Sequence, residues 1–277
     1  MSTNTMIDTA APSSRGHLRV VGRPEQPRVS VVIPTLNEAK NLPHVIGKLP
    51  SDIFELVIVD GNSTDGTVEV AQELYPSVRI VGQSAKGKGN ALSAGFNACK
   101  GDIIVMLDAD GSMDPGEIKL YVSALVNGAD FVKGSRFMPG GGSTDITGLR
   151  RLGNLFFTGS TNILFGAKFT DLCYGYNAFW KDVLPQISVD CSGFEVETLI
   201  NIRVLKAGLA VAEVPSFESD RIYGESNLRT FRDGARVLRT IFRERFGRGT
   251  TRTAPVSETS TPEFTPLPSY EAPTTSR

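Results

Sequence analysis

The sequence predicts an α/β fold of three layers, in which helices cover both faces of a mostly parallel central sheet. Two observations support this class. Short β-branched runs alternate with segments of helical period between residues 29 and 134, and polar motifs follow the carboxyl ends of these runs. The chain has 277 residues, of which 40% are hydrophobic and 21% charged. This composition is that of a globular protein and excludes wholesale disorder.

Five apolar runs are predicted to be strands, joined by right-handed connections through helices. Ligands of such sheets bind outside the carboxyl ends of the strands, which is where the polar motifs of this chain lie. The predicted strands are Val29–Ile33, Phe54–Val59, Val78–Val81, Ile103–Leu107 and Phe131–Gly134.

Four helices are predicted between and after these strands. Pro43 suits the first turn of the first helix, and Asp65 is a residue type that caps the second. The third helix is expected from about Gly89 to Cys99, and the fourth after Asp114.

The two ends of the chain are predicted to be disordered. Residues 1–27 are small and polar, and residues 249–277 are rich in Pro, Thr and Ser, so neither segment can bury enough apolar surface to become ordered. One domain is expected over residues 28–230, followed by a basic amphipathic helix over residues 231–248.

Charge and cysteine usage exclude several classes. Lys and Arg number 29 against 30 Asp and Glu, so the overall charge does not indicate a nucleic-acid-binding protein. The three cysteines form no C-x-x-C motif, which argues against a disulfide framework and a Cys-rich zinc site. We find no apolar run of about 18 residues and no secretory signal, and therefore expect a cytoplasmic location without a transmembrane helix.

Asp108-Ala109-Asp110, directly after the fourth predicted strand, is the strongest chemical signal. Two carboxylates at this spacing suit Mg²⁺ or Mn²⁺, which prefer hard oxygen ligands and take phosphate oxygens and water beside them. A metal there would neutralise a diphosphate leaving group. The alternative is a solvated turn that leads to the next helix.

The glycine-rich segment Gly82–Gly89 is close to a P-loop. It departs from that pattern at its last position, where Gly89 replaces the hydroxyl residue that binds magnesium. Lys88 could still meet an anion at the start of the third helix. The first strand is followed by Pro34-Thr35-Leu36-Asn37-Glu38 rather than G-x-G-x-x-G, which argues against a dinucleotide-binding oxidoreductase.

Taken in order, the motifs resemble the family-2 glycosyltransferases with the Rossmann-like GT-A fold. The resemblance is to the polyprenyl-phosphate sugar synthases, relatives of dolichyl-phosphate mannose synthase, and covers residues 28–230. The segments that carry it are VVIPTLNEAKNL, VIVDGNSTDGT, GKGNALSAGF, GDIIVMLDADGSMDP, KGSRF, DLCYGYNAFW, GFEVETL and EVPSFESDRIYGESNL.

This resemblance implies a role for each matching residue. Asp108 and Asp110 would hold the metal and the donor diphosphate, and Arg136 and Arg221 would contact phosphate. The residues expected to bind the nucleotide are Pro34, Leu36, Glu38, Val59, Asp60, Lys88, Asp108 and Ala109. Those expected to take part in catalysis are Asp110, Arg136, Arg221 and Asp171.

The chain departs from the mannose-type pattern at four positions. Leu36 stands where Tyr is usual, Gly61 where a second Asp is usual, Ser112 where Gln is usual and Asn227 where Lys is usual. The first two leave the base and the sugar of the donor open. We hypothesise that Arg150 and Arg151 compensate for the missing lysine.

The implied reaction is an inverting transfer of a sugar from a GDP- or UDP-sugar to polyprenyl phosphate at the cytoplasmic membrane surface. A phosphate acceptor needs little general-base help, because it is already anionic. A hydroxyl of a glycan or small molecule is the alternative acceptor, and it would need a base, for which Asp171 is the candidate; that residue could equally be a turn residue. A non-catalytic nucleotide-binding protein is the third hypothesis.

The segment Phe231–Phe246 bears on the membrane. Between residues 229 and 248 there are seven Arg against Asp233 and Glu244. Such a basic amphipathic helix suits an anionic membrane surface, or else packs on the domain with a solvated basic side. Its predicted apolar face consists of Phe231, Ala235, Leu238, Ile241 and Phe242. The apolar run Leu155–Phe165 is expected either to flank a lipid groove or to be core.

Overall fold

The computed structural model describes residues 22–83, 85–224 and 228–247. Seven strands of these residues form one sheet in the order β3-β2-β1-β4-β7-β5-β8, and two short strands form a second. The strands are β1 (Val29–Thr35), β2 (Glu55–Asp60), β3 (Arg79–Gly82), β4 (Ile103–Met106), β5 (Phe131–Ser135), β6 (Gly142–Ser143), β7 (Asn177–Trp180), β8 (Val211–Pro215) and β9 (Phe217–Glu218).

The sheet confirms the predicted fold class and all five predicted strands. β1 pairs in parallel with β2 and β4, and β2 with β3, so their carboxyl ends lie at one edge. β7 runs antiparallel to its neighbours β4 and β5, which makes the sheet mostly rather than wholly parallel.

Helices complete the layers on the sheet. They are α1 (Leu42–Ile46), α2 (Thr67–Leu74), α3 (Lys88–Ala98), α4 (Ile118–Val126), α5 (Gly148–Phe165), α6 (Leu184–Ile187), α7 (Val196–Lys206) and α8 (Thr230–Phe246), with 3-10 turns at Pro115–Glu117 and Lys181–Val183. α3 packs closely on β1 and β2 because Gly95 has no side chain. A Cβ at this position would lie 2.5 Å from Val32 Cγ1.

Two predicted boundaries differ in the structure. The cap of α2 is Gly66 at φ 87°, and Asp65 instead accepts hydrogen bonds from the backbone of Thr67 and Ala39, joining this turn to the loop after β1. The predicted N-terminal tail ends earlier than residue 27, because Arg23 pairs with Asp130 at 2.6 Å and its guanidinium lies over a tryptophan ring. Residues 1–21 and 248–277 lie outside the described part of the chain.

α8 packs against α5 and α7, and its buried face includes Ile241 but otherwise differs from the predicted apolar face. Val237 and Ile241 pack with residues of α7 and the loop before β7, whereas Phe231 and Phe242 are exposed. An electrostatic contact explains why the buried face of α8 differs from the predicted one. Glu244 accepts bonds from Arg203 and Lys206 of α7, which draws a charged residue of α8 into the interface.

Candidate active site

The predicted motifs meet at the carboxyl edge of the sheet. Thr35 at the end of β1 is paired in register with Asp60 at the end of β2. Asp108 and Asp110 follow the neighbouring strand β4, and Lys88 opens α3 beside them. Adjacent parallel strands therefore bring together Thr35 and Asp110, which are 75 residues apart in the chain.

Each aspartate of the Asp108-Ala109-Asp110 motif is ion-paired. Lys88 Nζ lies 2.6 Å from Asp108 Oδ1, and Arg221 Nη2 lies 2.8 Å from Asp110 Oδ2. Ser112 fixes the other oxygen of Asp110 by donating from its backbone N–H and from its hydroxyl. The aspartates are thus held in place by their own turn and by two cations.

Both cations have a second carboxylate partner. Lys88 Nζ is 2.7 Å from Glu197 Oε1 of α7, and Arg221 Nη1 is 3.5 Å from Glu38 Oε1. Burial alone would lower the pKa of Lys88, but Asp108 and Glu197 raise it above its usual range and keep the ammonium charged. We call these six residues the carboxylate cluster: Glu38, Lys88, Asp108, Asp110, Glu197 and Arg221.

The predicted nucleotide residues line the strand ends next to this cluster. Leu36 is about half exposed, whereas Val59 and Ala109 are buried and can contribute only backbone groups or packing. Glu38 accepts a bond of 2.6 Å from Asn41, and burial raises its pKa. Pro34 is the second-last residue of β1 and is partly exposed.

Asp60 has the features of a ligand-binding carboxylate. Its Oδ2 accepts from the backbone of Ser63, while Oδ1 is buried and has no hydrogen-bond partner among the described residues. A buried polar atom of this kind is stabilised when a ligand donor reaches it. Gly61 follows at a crowded point, where a Cβ would lie 3.1 Å from Thr35 O. The second Asp of the mannose-type pattern therefore would not fit here without a shift.

Arg136 lies at the other side of the cleft in a buried network. Asp171 binds its guanidinium in a fork, at 2.7 Å and 3.0 Å, and Glu218 binds it at 3.0 Å. The ring of Tyr174 lies 4.8 Å from the guanidinium carbon. These contacts hold the planar guanidinium of Arg136 in one orientation.

Asp171 does not have the geometry of a general base. Its side chain is fully buried, and Arg136 takes both carboxylate oxygens, so a hydroxyl in the cleft cannot reach it. Burial would raise the pKa of Asp171, but Arg136 holds it below its usual range. The structure thus contradicts the predicted base role, and we assign Asp171 as a positioning residue for Arg136.

A second buried layer supports this network. Glu213 of β8 accepts bonds from the backbone and hydroxyl of Thr170, immediately before Asp171. Burial raises the pKa of Glu213 to about 7, against the opposing effect of those bonds. Lys133 of β5 is also fully buried and donates to the carbonyl of Tyr174.

An apolar groove opens beside the carboxylate cluster, between α5 and α8. The cleft and groove together enclose about 720 Å³, and the polar lining includes Asp108, Asp110 and Arg136. We define the apolar groove by lining residues of α5 and α8: Leu149, Leu152, Phe156, Phe231 and Leu238. The run Leu155–Phe165 is core on one side only. Phe157, Leu164 and Phe165 pack against a buried cluster, whereas Leu155, Phe156 and Ile163 are exposed.

Two arginines on α5 were predicted to compensate for Asn227, which itself lies outside the described residues. Arg150 lines the cleft and pairs with Asp145 at 3.5 Å. Arg151 is exposed over the ring of Phe137 and is not among the cleft-lining residues. Only Arg150 is placed for the predicted role.

Glu197 and Tyr174 are site residues to which sequence reasoning gave no role, although both lie in motifs that carried the resemblance. The feature that could have indicated Glu197 is its position within α7, where nine consecutive residues from Val196 to Val204 are buried. A charged residue in such a segment needs a partner. The sequence does not show which lysine supplies it.

The aspartate pair suits a divalent metal. The two carboxylates are hard oxygen donors, and among the described residues no third acidic, His or Cys side chain joins them as a candidate metal ligand, so phosphate oxygens and water would complete the shell of a bound ion. Gly175 keeps that space open, because a Cβ there would lie 3.1 Å from Asp108 Oδ2. Mg²⁺ or Mn²⁺ therefore fits Asp108 and Asp110.

Comparisons with known proteins agree with this geometry. The model of glycosyl transferase family 2 matches residues 30–188. Polyprenol monophosphomannose synthase of Mycolicibacterium smegmatis is 32% identical over 234 residues, covering 80% of this chain and 86% of that protein. Undecaprenyl-phosphate mannosyltransferase of Micrococcus luteus is 34% identical over 215 residues, covering 73% of this chain and 87% of that protein.

A solved structure shares the fold. Glucosyl-3-phosphoglycerate synthase from Mycobacterium tuberculosis, in complex with Mn²⁺, uridine diphosphate and glucosyl-3-phosphoglycerate, superposes with a TM-score of 0.65 at 23% identity. The match covers 81% of this chain and 82% of that chain. With its mostly parallel sheet and its paired aspartates at the strand edge, the chain belongs to glycosyl transferase family 2 and is a glycosyltransferase with the GT-A fold.

Proposed function

We propose that the protein transfers a sugar from a GDP- or UDP-sugar to a polyprenyl phosphate, with inversion at the anomeric carbon and with Mg²⁺ or Mn²⁺. The observation that carries this proposal is the single cleft in which the aspartates and Arg136 continue into the apolar groove. Such a cleft matches an acceptor with an anionic head and a long apolar tail. The names of the relatives in Mycolicibacterium and Micrococcus support the same acceptor class.

The chain's own residues account for the main steps of such a transfer. Asp60 accepts a hydrogen bond from the nucleotide through its buried Oδ1, which has no partner among the described residues. Asp108 and Asp110 would hold the divalent metal, which supplies positive charge to the leaving diphosphate. Arg136, oriented by Asp171 and Glu218, binds phosphate beside the reacting centre.

The acceptor phosphate needs no base in this mechanism. One of its anionic oxygens attacks the anomeric carbon, the bond from that carbon to the diphosphate breaks, and the nucleoside diphosphate leaves with the electron pair. The burial of Asp171 agrees with this chemistry, because a hydroxyl acceptor would require a carboxylate free to take a proton. Arg150 is proposed to meet the acceptor phosphate at the mouth of the groove.

We further propose that the enzyme acts at the cytoplasmic surface of a membrane. No helix of the described residues has the length and apolarity needed to cross a bilayer. Exposed aromatic residues of α8 (Phe231, Phe242 and Phe246) lie on the same helix as the exposed arginines Arg232, Arg239 and Arg245. Aromatic side chains beside arginines suit the interface of an anionic membrane.

The decisive experiment measures transfer from labelled UDP- and GDP-sugars to a short polyprenyl phosphate in the presence of Mn²⁺ or Mg²⁺. Label in the organic phase from one donor is the expected result, and chelation of the metal should abolish it. Metal-dependent release of UDP or GDP without organic label would move the acceptor to a hydroxyl compound. Donor binding without transfer or donor cleavage would favour the non-catalytic hypothesis.

A further inference from the structure

The two aspartates that fit a metal are already bonded to cations, in two parallel arrangements. Lys88 lies between Asp108, at 2.6 Å, and Glu197, at 2.7 Å. Arg221 lies between Asp110, at 2.8 Å, and Glu38, at 3.5 Å. In each arrangement one cation joins one aspartate of the motif to one glutamate outside it.

Counting charges, the carboxylate cluster has four acids and two cations, so it lacks two positive charges. Several of these groups are largely withdrawn from water, and an unbalanced charge in such a place is unfavourable. A divalent cation supplies the missing charge. The cluster is therefore complementary to one divalent ion with both Lys88 and Arg221 still present.

The exposure of the side chains gives this arrangement a direction. The Asp108 side chain is 27% exposed, whereas Lys88 is 12% and Glu197 only 5% exposed. Asp108 is therefore the most accessible of these three groups to an ion that arrives from the cleft, which all three line. In the second arrangement Arg221 is 21% exposed, against 13% for both Asp110 and Glu38. Gly175 keeps the cleft side of Asp108 open.

We propose that Lys88 and Arg221 exchange with the divalent metal at the two aspartates, and that Glu197 and Glu38 retain the displaced cations. Glu197 is then a positioning residue that sets metal affinity, because a displaced Lys88 without it would be left buried and unpaired. This inference rests on the metal-dependent function proposed above. It adds that the metal-free enzyme occupies its metal site with its own side chains.

The test measures Mn²⁺ binding to the full chain without nucleotide, by the electron paramagnetic resonance signal of free Mn²⁺. Lys88→Met removes the competing cation, and we expect the Kd for Mn²⁺ to fall by about tenfold or more. Glu197→Gln removes the retaining anion, and the Kd should rise by about tenfold. Asp108→Asn should abolish binding.

Matched controls are available next to each position. Lys86 is an exposed lysine two residues before Lys88, and Glu195 lies two residues before Glu197 but pairs with Arg236 instead. Lys86→Met and Glu195→Gln should leave the Kd for Mn²⁺ within about twofold of the unmodified chain, since neither side chain touches the aspartates.

A double variant guards against misfolding of the single ones. Lys88→Met with Glu197→Gln keeps the buried charge balanced, and it should bind Mn²⁺ more tightly than the unmodified chain because the competitor is gone. An unchanged or higher Kd in Lys88→Met and in the double variant would overturn the exchange. So would the absence of an Asp108-dependent Mn²⁺ site. Transfer to polyprenyl phosphate, measured separately with the unmodified chain, decides the proposed function independently of either outcome.

Discussion

The carboxylate cluster and the apolar groove share one cleft but are built in opposite ways. The cluster takes its aspartates from a three-residue motif and holds every charged group within 3.5 Å of a partner. The groove takes its walls from α5 and α8, which begin 82 residues apart, and leaves Phe231 83% exposed. Under the proposed function, the donor chemistry depends on tightly paired charges, whereas the acceptor tail contacts exposed apolar surface. We expect changes in the cluster to affect rate and changes in the groove to affect acceptor affinity.

The largest effect is expected from Asp110→Asn in the carboxylate cluster. Loss of this charge removes a proposed metal ligand and leaves Arg221 with Glu38 alone, so transfer should fall by about 10² to 10³-fold. Label transferred to the organic phase gives the measurement. Asp114→Asn is the matched control, because Asp114 lies in the same loop and its capping bond to Gly116 can be made by Asn. Full activity in Asp110→Asn would contradict the assignment of the cluster.

Asp171→Asn tests the buried network between the two regions. It removes the fork that orients Arg136, and we expect kcat/KM to fall by about 100-fold and unfolding free energy by about 3 kcal/mol. Arg136→Lys should cause a similar loss in kcat/KM, and the double variant should lose little more than either single one. Additive losses in the double variant, with a changed pH profile in Asp171→Asn alone, would restore the base role.

The same network should make stability depend on pH through Glu213. Its folded pKa of about 7 lies above the usual 4.5, so the folded state binds the proton more tightly. The stability that this group contributes is fully present below pH 4.5 and is lost as the pH rises through about 7, a change of about 3 kcal/mol. Urea unfolding of the unmodified chain and of Glu213→Gln at pH 4.5 and 8 measures it.

The expected sign is specific. The unfolding free energy of the unmodified chain, minus that of Glu213→Gln, should decrease from the lower to the higher pH. Glu73→Gln, at an exposed position of α2, serves as the control and should show a constant difference. A constant difference for Glu213→Gln as well would show that burial does not perturb this acid.

In the apolar groove, Phe156→Ser and Phe231→Ser should act on acceptor binding alone. Each removes an exposed aromatic contact for the lipid tail, so the KM for a long polyprenyl phosphate should rise by about tenfold while kcat stays unchanged. Ile163→Ser changes an exposed residue of the same helix α5 that is not among those lining the groove, and it should leave KM unchanged. Equal losses in all three variants would mean that the groove does not bind the lipid.

The smallest effect is expected at the outer surface of α8. Arg232 and Arg239 are exposed, and each should contribute about 1 kcal/mol to binding anionic vesicles. Replacing either with Gln should weaken salt-sensitive flotation with such vesicles by about fivefold. Lys119→Gln on α4 is the control. If the unmodified chain shows no salt-sensitive vesicle binding, the membrane proposal is wrong.

The sequence by itself determined five strands of the seven-stranded sheet and the aspartate pair, whereas β7 and β8 were not predicted. The strands from β1 to β5 were predictable because continuous apolar runs must be buried, and the polar residues after them were predictable as a site because parallel strands end at a common edge. The motif at Asp108 and Asp110 is local, so its chemistry can be read without knowing what packs around it.

Only the tertiary structure decided which charges pair and which helix faces are covered. Asp171 changed from a candidate base to a positioning residue because Arg136, 35 residues away, takes both its oxygens. Glu197 acquired a role because α7 brings it to Lys88. The buried seam of α8 includes Glu244 because α7 supplies its cations, against the pattern of apolar residues alone. Periodicity reports what a segment can bury, whereas the partners that make burial of a charge favourable come from elsewhere in the chain.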